Sequence, residues 1–214
     1  NVGIFLGTGI LQPLVGWVID RGRVAGALDA AWHQGLALIA GAAAFAQAGC
    51  PAILDHEVRV LRKPDIVNLC DRYAGQPLLV VNTASHCGYA PQLQGLETLY
   101  QEYRARGLRV AGFPSNDFGQ EASNEEDTAK ICYVNYGVTF DMYSETHVKG
   151  AQAHPLFAEL ARQSRAPRWN FNKYLVDGDG KVVAAFGSST SPDSPELREA
   201  VEKLLWQLVI STIC

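Results

Sequence analysis

An α/β fold is predicted by three neighbouring stretches of this 214-residue chain. Leu78-Leu79-Val80-Val81 is apolar without alternation, the pattern of a strand covered on both faces. Leu93, Leu96, Leu99, Tyr100 and Tyr103 then recur on one face of a helix, which Gly107 ends. Leu108-Arg109-Val110-Ala111-Gly112-Phe113 reads as a second buried strand. Strand, helix and strand in this order make a βαβ unit, with parallel strands and a right-handed crossover.

The other elements fall on either side. Glu57 to Leu61 and Ile66 to Leu69 read as the first strands. Ser123 and Glu126 have the spacing of a capping box, opening a helix that runs through Thr128 and Ala129 to Asn135. His154 to Leu160 is helical. Tyr174 to Val176 and Lys181 to Phe186 flank Asp177-Gly178-Asp179-Gly180, a hairpin turn. That turn lacks the remaining ligands and the closing glutamate of a calcium loop. Ser194-Pro195 opens the last helix, whose apolar stripe is Leu197, Val201, Leu204, Leu205 and Leu208.

Cys87 closes the first strand of the βαβ unit, at the carboxyl end where open α/β sheets place their sites. A thiol at a strand-to-helix turn faces unpaired N–H groups and the positive end of the helix dipole. Both favour the thiolate, which is the nucleophilic form. The competing role is that of a small buried hydrophobe. Ala90 stands where a disulfide-exchange motif would carry its second cysteine.

Four blocks carry a family resemblance. Val81-Asn82-Thr83-Ala84-Ser85-His86-Cys87-Gly88 is similar to the peroxidatic motif of the glutathione peroxidase family, in its cysteine form. Phe113-Pro114-Ser115-Asn116-Asp117-Phe118-Gly119-Gln120-Glu121 resembles the second motif and Asn135-Tyr136-Gly137-Val138-Thr139-Phe140 the third. Trp169-Asn170-Phe171-Asn172-Lys173-Tyr174-Leu175-Val176-Asp177 resembles the fourth, and the match runs from about Cys50 to Leu205. The resemblance implies a thioredoxin fold, a central mixed sheet flanked by helices. It places the catalytic tetrad on Cys87, Gln120, Trp169 and Asn170. It also puts a resolving thiol on Cys132, as in the thioredoxin-dependent branch.

The implied activity is that of a thiol peroxidase acting on hydrogen peroxide and organic hydroperoxides. Cys87 would become a sulfenic acid, bond to Cys132, and be reduced by a thioredoxin-like protein or glutathione. The competing reading is a peroxide-sensing relay that hands oxidation to a partner protein. The two thiols lie 45 positions apart, so the helix around Cys132 is expected to be marginally stable and to unwind locally. No cofactor is called for. The short stretch between Leu160 and Trp169 implies a monomer, since tetrameric members carry an extra segment there.

Residues 1–48 read differently. Their charges are Asp20, Arg21, Arg23 and Asp29, so residues 49–214 carry the whole net charge of −4. Val2 to Ile19 is an apolar run of membrane-spanning length, and residues 1–23 resemble a fragment of a major-facilitator permease. Gly35 to Ala46, ending in Ala46-Gln47-Ala48, resembles a signal peptide with its cleavage site. The expected division is an apolar segment over 1–48 and the globular domain over 49–214. The chain begins with Asn and its sole methionine is Met142, so residues 1–23 are read as an upstream membrane segment or a misassigned frame. Export to the periplasm is expected; a two-helix membrane anchor or a cytoplasmic domain are the alternatives.

Cys50 and Cys70 either form a structural disulfide or stay unpaired, and both readings stand. Cys214 is assigned nothing. A mildly acidic chain without a basic cluster offers no footprint for nucleic acid. His86, His147 and His154 have no zinc-ligand spacing with the cysteines, and no phosphate-cradling glycine loop is present.

Overall fold

Five strands form a mixed sheet in the order β5-β4-β3-β6-β7, in a computed structural model that describes residues 49–213. β3 (Leu78–Thr83) is central and buried along its whole length, which explains its unbroken apolar run. β4 (Arg109–Pro114) pairs with it in parallel, from Leu78 opposite Arg109 to Thr83 opposite Pro114. The short β5 (Asp141–Met142) continues the parallel side. On the other side β6 (Lys173–Val176) runs antiparallel to β3, and β7 (Val182–Phe186) antiparallel to β6. Before the sheet, β1 (Glu57–Arg59) and β2 (Ile66–Asn68) make a separate antiparallel pair, followed by α1 (Leu69–Tyr73).

Successive β3 side chains enter opposite cores. Leu79 and Val81 pack with Leu93, Leu96 and Leu99 of α2 (Gln92–Tyr103) and with Leu197, Val201 and Leu204 of α5 (Pro195–Ile213). Leu78 and Val80 pack with Leu69 and Tyr73 of α1 and with Leu156, Phe157 and Leu160 of α4 (Pro155–Gln163). Each fully buried aliphatic contributes about 1.5–3 kcal/mol. Helices therefore cover both faces of a central mixed sheet, the predicted thioredoxin-type arrangement.

Local signals explain most boundaries. Gly107 takes φ 102°, open to glycine at little cost, and stops the 3₁₀ turn Arg104–Arg106 that prolongs α2. The Ser194 hydroxyl accepts from the Leu197 N–H at 3.4 Å ahead of Pro195. In the β6–β7 turn, Asp177 Oδ1 accepts from the N–H groups of Asp179 and Lys181, so this aspartate serves the hairpin.

Some expectations need correction. The helix after residue 120 is capped by Asn124, not by Ser123 with Glu126. Extended backbone at Asn124 (φ −150°, ψ 154°) carries its Oδ1 to the Asp127 N–H at 2.9 Å. The helix is α-helical only over α3 (Glu125–Ala129); Lys130–Asn135, which holds Cys132, is π-helical. β1 ends at Arg59 because the chain turns there, with Val60 N–H donating to Asp65 at 2.9 Å and Arg62 at φ 58°. Of the two readings of Cys50 and Cys70, the disulfide holds, with Cα atoms 5.7 Å apart.

The expectations for residues 1–48 and Cys214, including the 1–48 and 49–214 division, lie outside the described residues. Among the described residues no helix is long and apolar enough to cross a membrane.

Candidate functional site

Cys87 lies in the turn between β3 and α2, only 4% exposed and unbridged. Its backbone is tied on both sides: its N–H donates to Ala84 at 3.4 Å, and its carbonyl accepts from Ala90 at 2.8 Å. The Tyr89 N–H approaches the sulfur at 3.5 Å. Here the structure refines the expectation of a thiol facing the helix itself. The N–H groups of Gln92, Leu93 and Gln94 are already taken by Tyr89, Ala90 and Pro91, so a turn amide supplies the dipole at sulfur.

Gln120 and Asn170 come together beside this turn. The Gln120 carbonyl accepts from the His86 N–H at 2.9 Å, next to the thiol in sequence. Asn170 Nδ2 donates to Gln120 Oε1 at 3.1 Å. One Asn170 N–H is thus committed to Gln120 Oε1, which fixes that oxygen as an acceptor and orients the Gln120 amide nitrogen as a donor. Trp169 is 40% exposed and its ring lies 5.4 Å from that of Phe118. No side chain of Gln120, Trp169 or Asn170 donates directly to Cys87 Sγ among the described residues; Gln120 is tied to the turn through its backbone, Asn170 to Gln120, and the Trp169 ring to Phe118.

Asn82, fully buried, clasps the Trp169–Asn172 segment to the end of β3. Its Nδ2 donates to the Trp169 carbonyl at 3.0 Å, and its Oδ1 accepts from the Asn172 N–H at 3.0 Å. Its own carbonyl accepts from Phe171, which sits at φ 62°, and Asn172 Nδ2 adds a second donor to the Trp169 carbonyl at 2.6 Å. Sequence reasoning assigned Asn82 no role. The available signal was an amide immediately following a fully apolar strand run.

Cys132 is buried in the same apolar cluster as Cys87. Burial, with the Glu121 carboxylate adding to it, pushes the Cys132 thiol up to about 12. Glu121 was also missed. Its Oε1 accepts from Ser85 Oγ, from the Ala122 N–H at 2.8 Å and from Thr128 Oγ1 at 2.9 Å. Three buried polar atoms lack partners among the described residues: Thr83 Oγ1, Glu121 Oε2 and Asn170 Oδ1. Such atoms are rare in folded proteins, and all three flank the Cys87 turn or its partners.

The histidines have other duties. His154 Nδ1 caps α4 by accepting from Leu156 at 3.2 Å, and His147 meets Asp117 at 2.8 Å. Among the described residues no group of three His, Cys, Asp or Glu side chains is placed to hold a metal. Lys173 is buried beneath α2, donating to Gln92 Oε1 and to the Thr190 carbonyl at 2.6 Å. The arrangement offers a buried thiol against an amide, a secured neutral donor pair, and a second thiol in an irregular helical turn. That is equipment for thiol redox chemistry.

Comparison with known proteins agrees. The sequence pattern of the family described as Glutathione peroxidase matches residues 53–161. A glutathione peroxidase of Lactococcus lactis subsp. cremoris is 42% identical over 147 residues, covering 66% of this chain and 92% of the relative. A hydroperoxy fatty acid reductase of Synechocystis sp. is 43% identical over 145 residues, covering 62% of this chain and 85% of the relative. Among solved structures, Trgpx in its apo form superposes with a TM-score of 0.58 at 30% identity, covering 72% of this chain and 96% of that one. T. cruzi GPX1 gives 0.55 at 27% identity, covering 72% and 94%. None of these supports the likeness of residues 1–23 to a permease. With over nine-tenths of a 42% identical relative spanned, the chain belongs to the glutathione peroxidase family and is a peroxidase.

Proposed function

We propose that this peroxidase reduces hydroperoxides by a two-cysteine cycle on Cys87 and Cys132. The Cys87 thiolate attacks one peroxide oxygen, the O–O bond breaks, and the other oxygen leaves as water or an alcohol after taking a proton. Cys87 is then a sulfenic acid. The Gln120 amide, oriented by Asn170, and the indole N–H of Trp169 serve as neutral donors to the reacting oxygens. The observation that carries the reading is the junction of Gln120 to both the Cys87 turn and Asn170, at 2.9 and 3.1 Å.

Cys132 then attacks the Cys87 sulfur, expelling water and leaving a disulfide that an external dithiol, of the thioredoxin type, reduces. The π-helical turn holding Cys132 supports this step, since such turns are less regular than an α-helix. Glutathione is the other candidate reductant. The exposed Trp169 and half-buried Phe118 suit an apolar hydroperoxide, and the Synechocystis relative is named for hydroperoxy fatty acids. The domain acts as a monomer, on the ground that only a few residues separate α4 from Trp169. Its Cys50–Cys70 bond fits work in an oxidising compartment, as export would provide.

Stopped-flow tryptophan fluorescence of the reduced full chain mixed with hydrogen peroxide tests this, with intact mass spectrometry beside it. The expected result is a fast change that needs Cys87 and ends with two hydrogens lost. Cys132→Ser should stop at a sulfenic acid that dimedone traps. A Cys87 reacting no faster than an ordinary thiol overturns the proposal.

A further inference from the structure

Glu121 is the group around the site that this cycle leaves unused. Its Oε1 is held by three donors from two segments: Ser85, two residues before Cys87, and Ala122 and Thr128, the latter one helical turn before Cys132. Its Oε2 is buried and has no partner among the described residues. A carboxylate with one oxygen fixed and the other desolvated and empty is a proton acceptor held ready. Through Thr128 the carboxylate is anchored to the helical segment that carries Cys132 four residues on, and the Cys132 thiol lies near enough to feel its charge. Cys132 needs such an acceptor. Burial favours the protonated thiol, and only the thiolate is the effective nucleophile.

We propose that Glu121 takes the proton of Cys132 in the resolving step and delivers it to the leaving oxygen. The step rests on the two-cysteine reading above. As the Cys132 sulfur bonds to the Cys87 sulfur, its S–H proton passes to Glu121 Oε2. The S–O bond of the sulfenic acid breaks, and the departing hydroxide takes the proton and leaves as water. The sulfenic sulfur is reduced, the thiol is oxidised, and Glu121 ends as the carboxylate it began as. The hydrogen bonds to Ser85 and Thr128 place this acceptor between the two cysteine-bearing segments.

The test follows both phases in the full chain after a peroxide pulse. Dimedone trapping reads the sulfenic acid and mass spectrometry reads the disulfide. Glu121→Gln keeps the size and hydrogen-bonding capacity and should slow disulfide formation at least tenfold, with the sulfenic acid accumulating. In Glu121→Ala, added formate should restore that rate at least fivefold, while chloride at equal ionic strength should not. Thermal melting of each variant checks that it is folded.

A Glu121→Gln rate within twofold of wild type overturns the proposal. So does a slow variant that formate fails to rescue, which makes Glu121 a structural strap only. If Cys132→Ser forms no sulfenic acid after the same pulse, the two-cysteine reading itself falls, and the trapping signal of that variant distinguishes this outcome from a failure of the Glu121 proposal.

Discussion

At Asn82 one side chain joins two parts of the site 87 positions apart in sequence. Replacing it with alanine leaves the Asn172 N–H without its partner and takes one of the two side-chain donors from the Trp169 carbonyl. A buried group deprived of its hydrogen bond costs about 1–3 kcal/mol. Asn82→Ala should lose about that much stability in urea titration. It should also slow the first fluorescence phase at least fivefold, because the Trp169–Asn170 pair is held less firmly. A stability loss with the first phase unchanged would show that the clasp serves the fold alone.

Lys173 makes a pH prediction at the same scale. Burial holds its ammonium down at about 7, against an ordinary value of 10.5. Above pH 10.5 the side chain is neutral folded or unfolded, so it adds no pH dependence. Between about 7 and 10.5 the unfolded chain binds the extra proton, so stability falls as pH is lowered through this window and is flat below it. Lys173→Met should lack that slope, which reaches up to about 1.4 kcal/mol per pH unit. Parallel urea titrations from pH 6 to 10 check it, and identical slopes in both proteins would refute it.

Elements differed in how far the sequence announced them. β3, α2 and β4 were readable because an unbroken apolar run and a one-faced helical stripe each permit few folds. The segment after Gln120 was not. Ser123 and Asn124 are adjacent and both cap helices well, and only the extended backbone at Asn124 decides between them. Nor does composition distinguish the π-helical bonding of Lys130–Asn135 from α-helical bonding. The site was legible in part for a similar reason. Cys87, Gln120, Trp169 and Asn170 stand at the motif positions to which the family resemblance attaches roles, and Cys132 lies just ahead of the third motif. Asn82 and Glu121 stand in the same motifs, but their parts rest on hydrogen bonds to distant segments.

The same segment predicts kinetics. α3 is a single short helix, and its cap is worth about 1 kcal/mol. Asn124→Ala should therefore let the Cys132 turn open more often and speed disulfide formation up to about fivefold. The rate of the first phase should not change. Slower disulfide formation in this variant would mean that Cys132 is presented by the folded helix, not by its opening.

Across the whole molecule, the Cys50–Cys70 bond ties the arm before β1 to α1, separate from the proposed pair of Cys87 and Cys132. It closes a loop of 20 residues, and a loop of that size stabilises by about 3 kcal/mol through the unfolded chain's lost freedom. For a domain this large that corresponds to roughly 10 °C in melting temperature. Cys50→Ser with Cys70→Ser should lower the melting temperature by about that much while both fluorescence phases keep their rates. Dithiothreitol should lower the melting temperature of the unaltered protein towards that of the variant. Such a result would separate a permanent disulfide that holds the fold from the transient one proposed between Cys87 and Cys132. If the double variant instead lost the first phase, the arm before β1 would be part of what shapes the Cys87 turn.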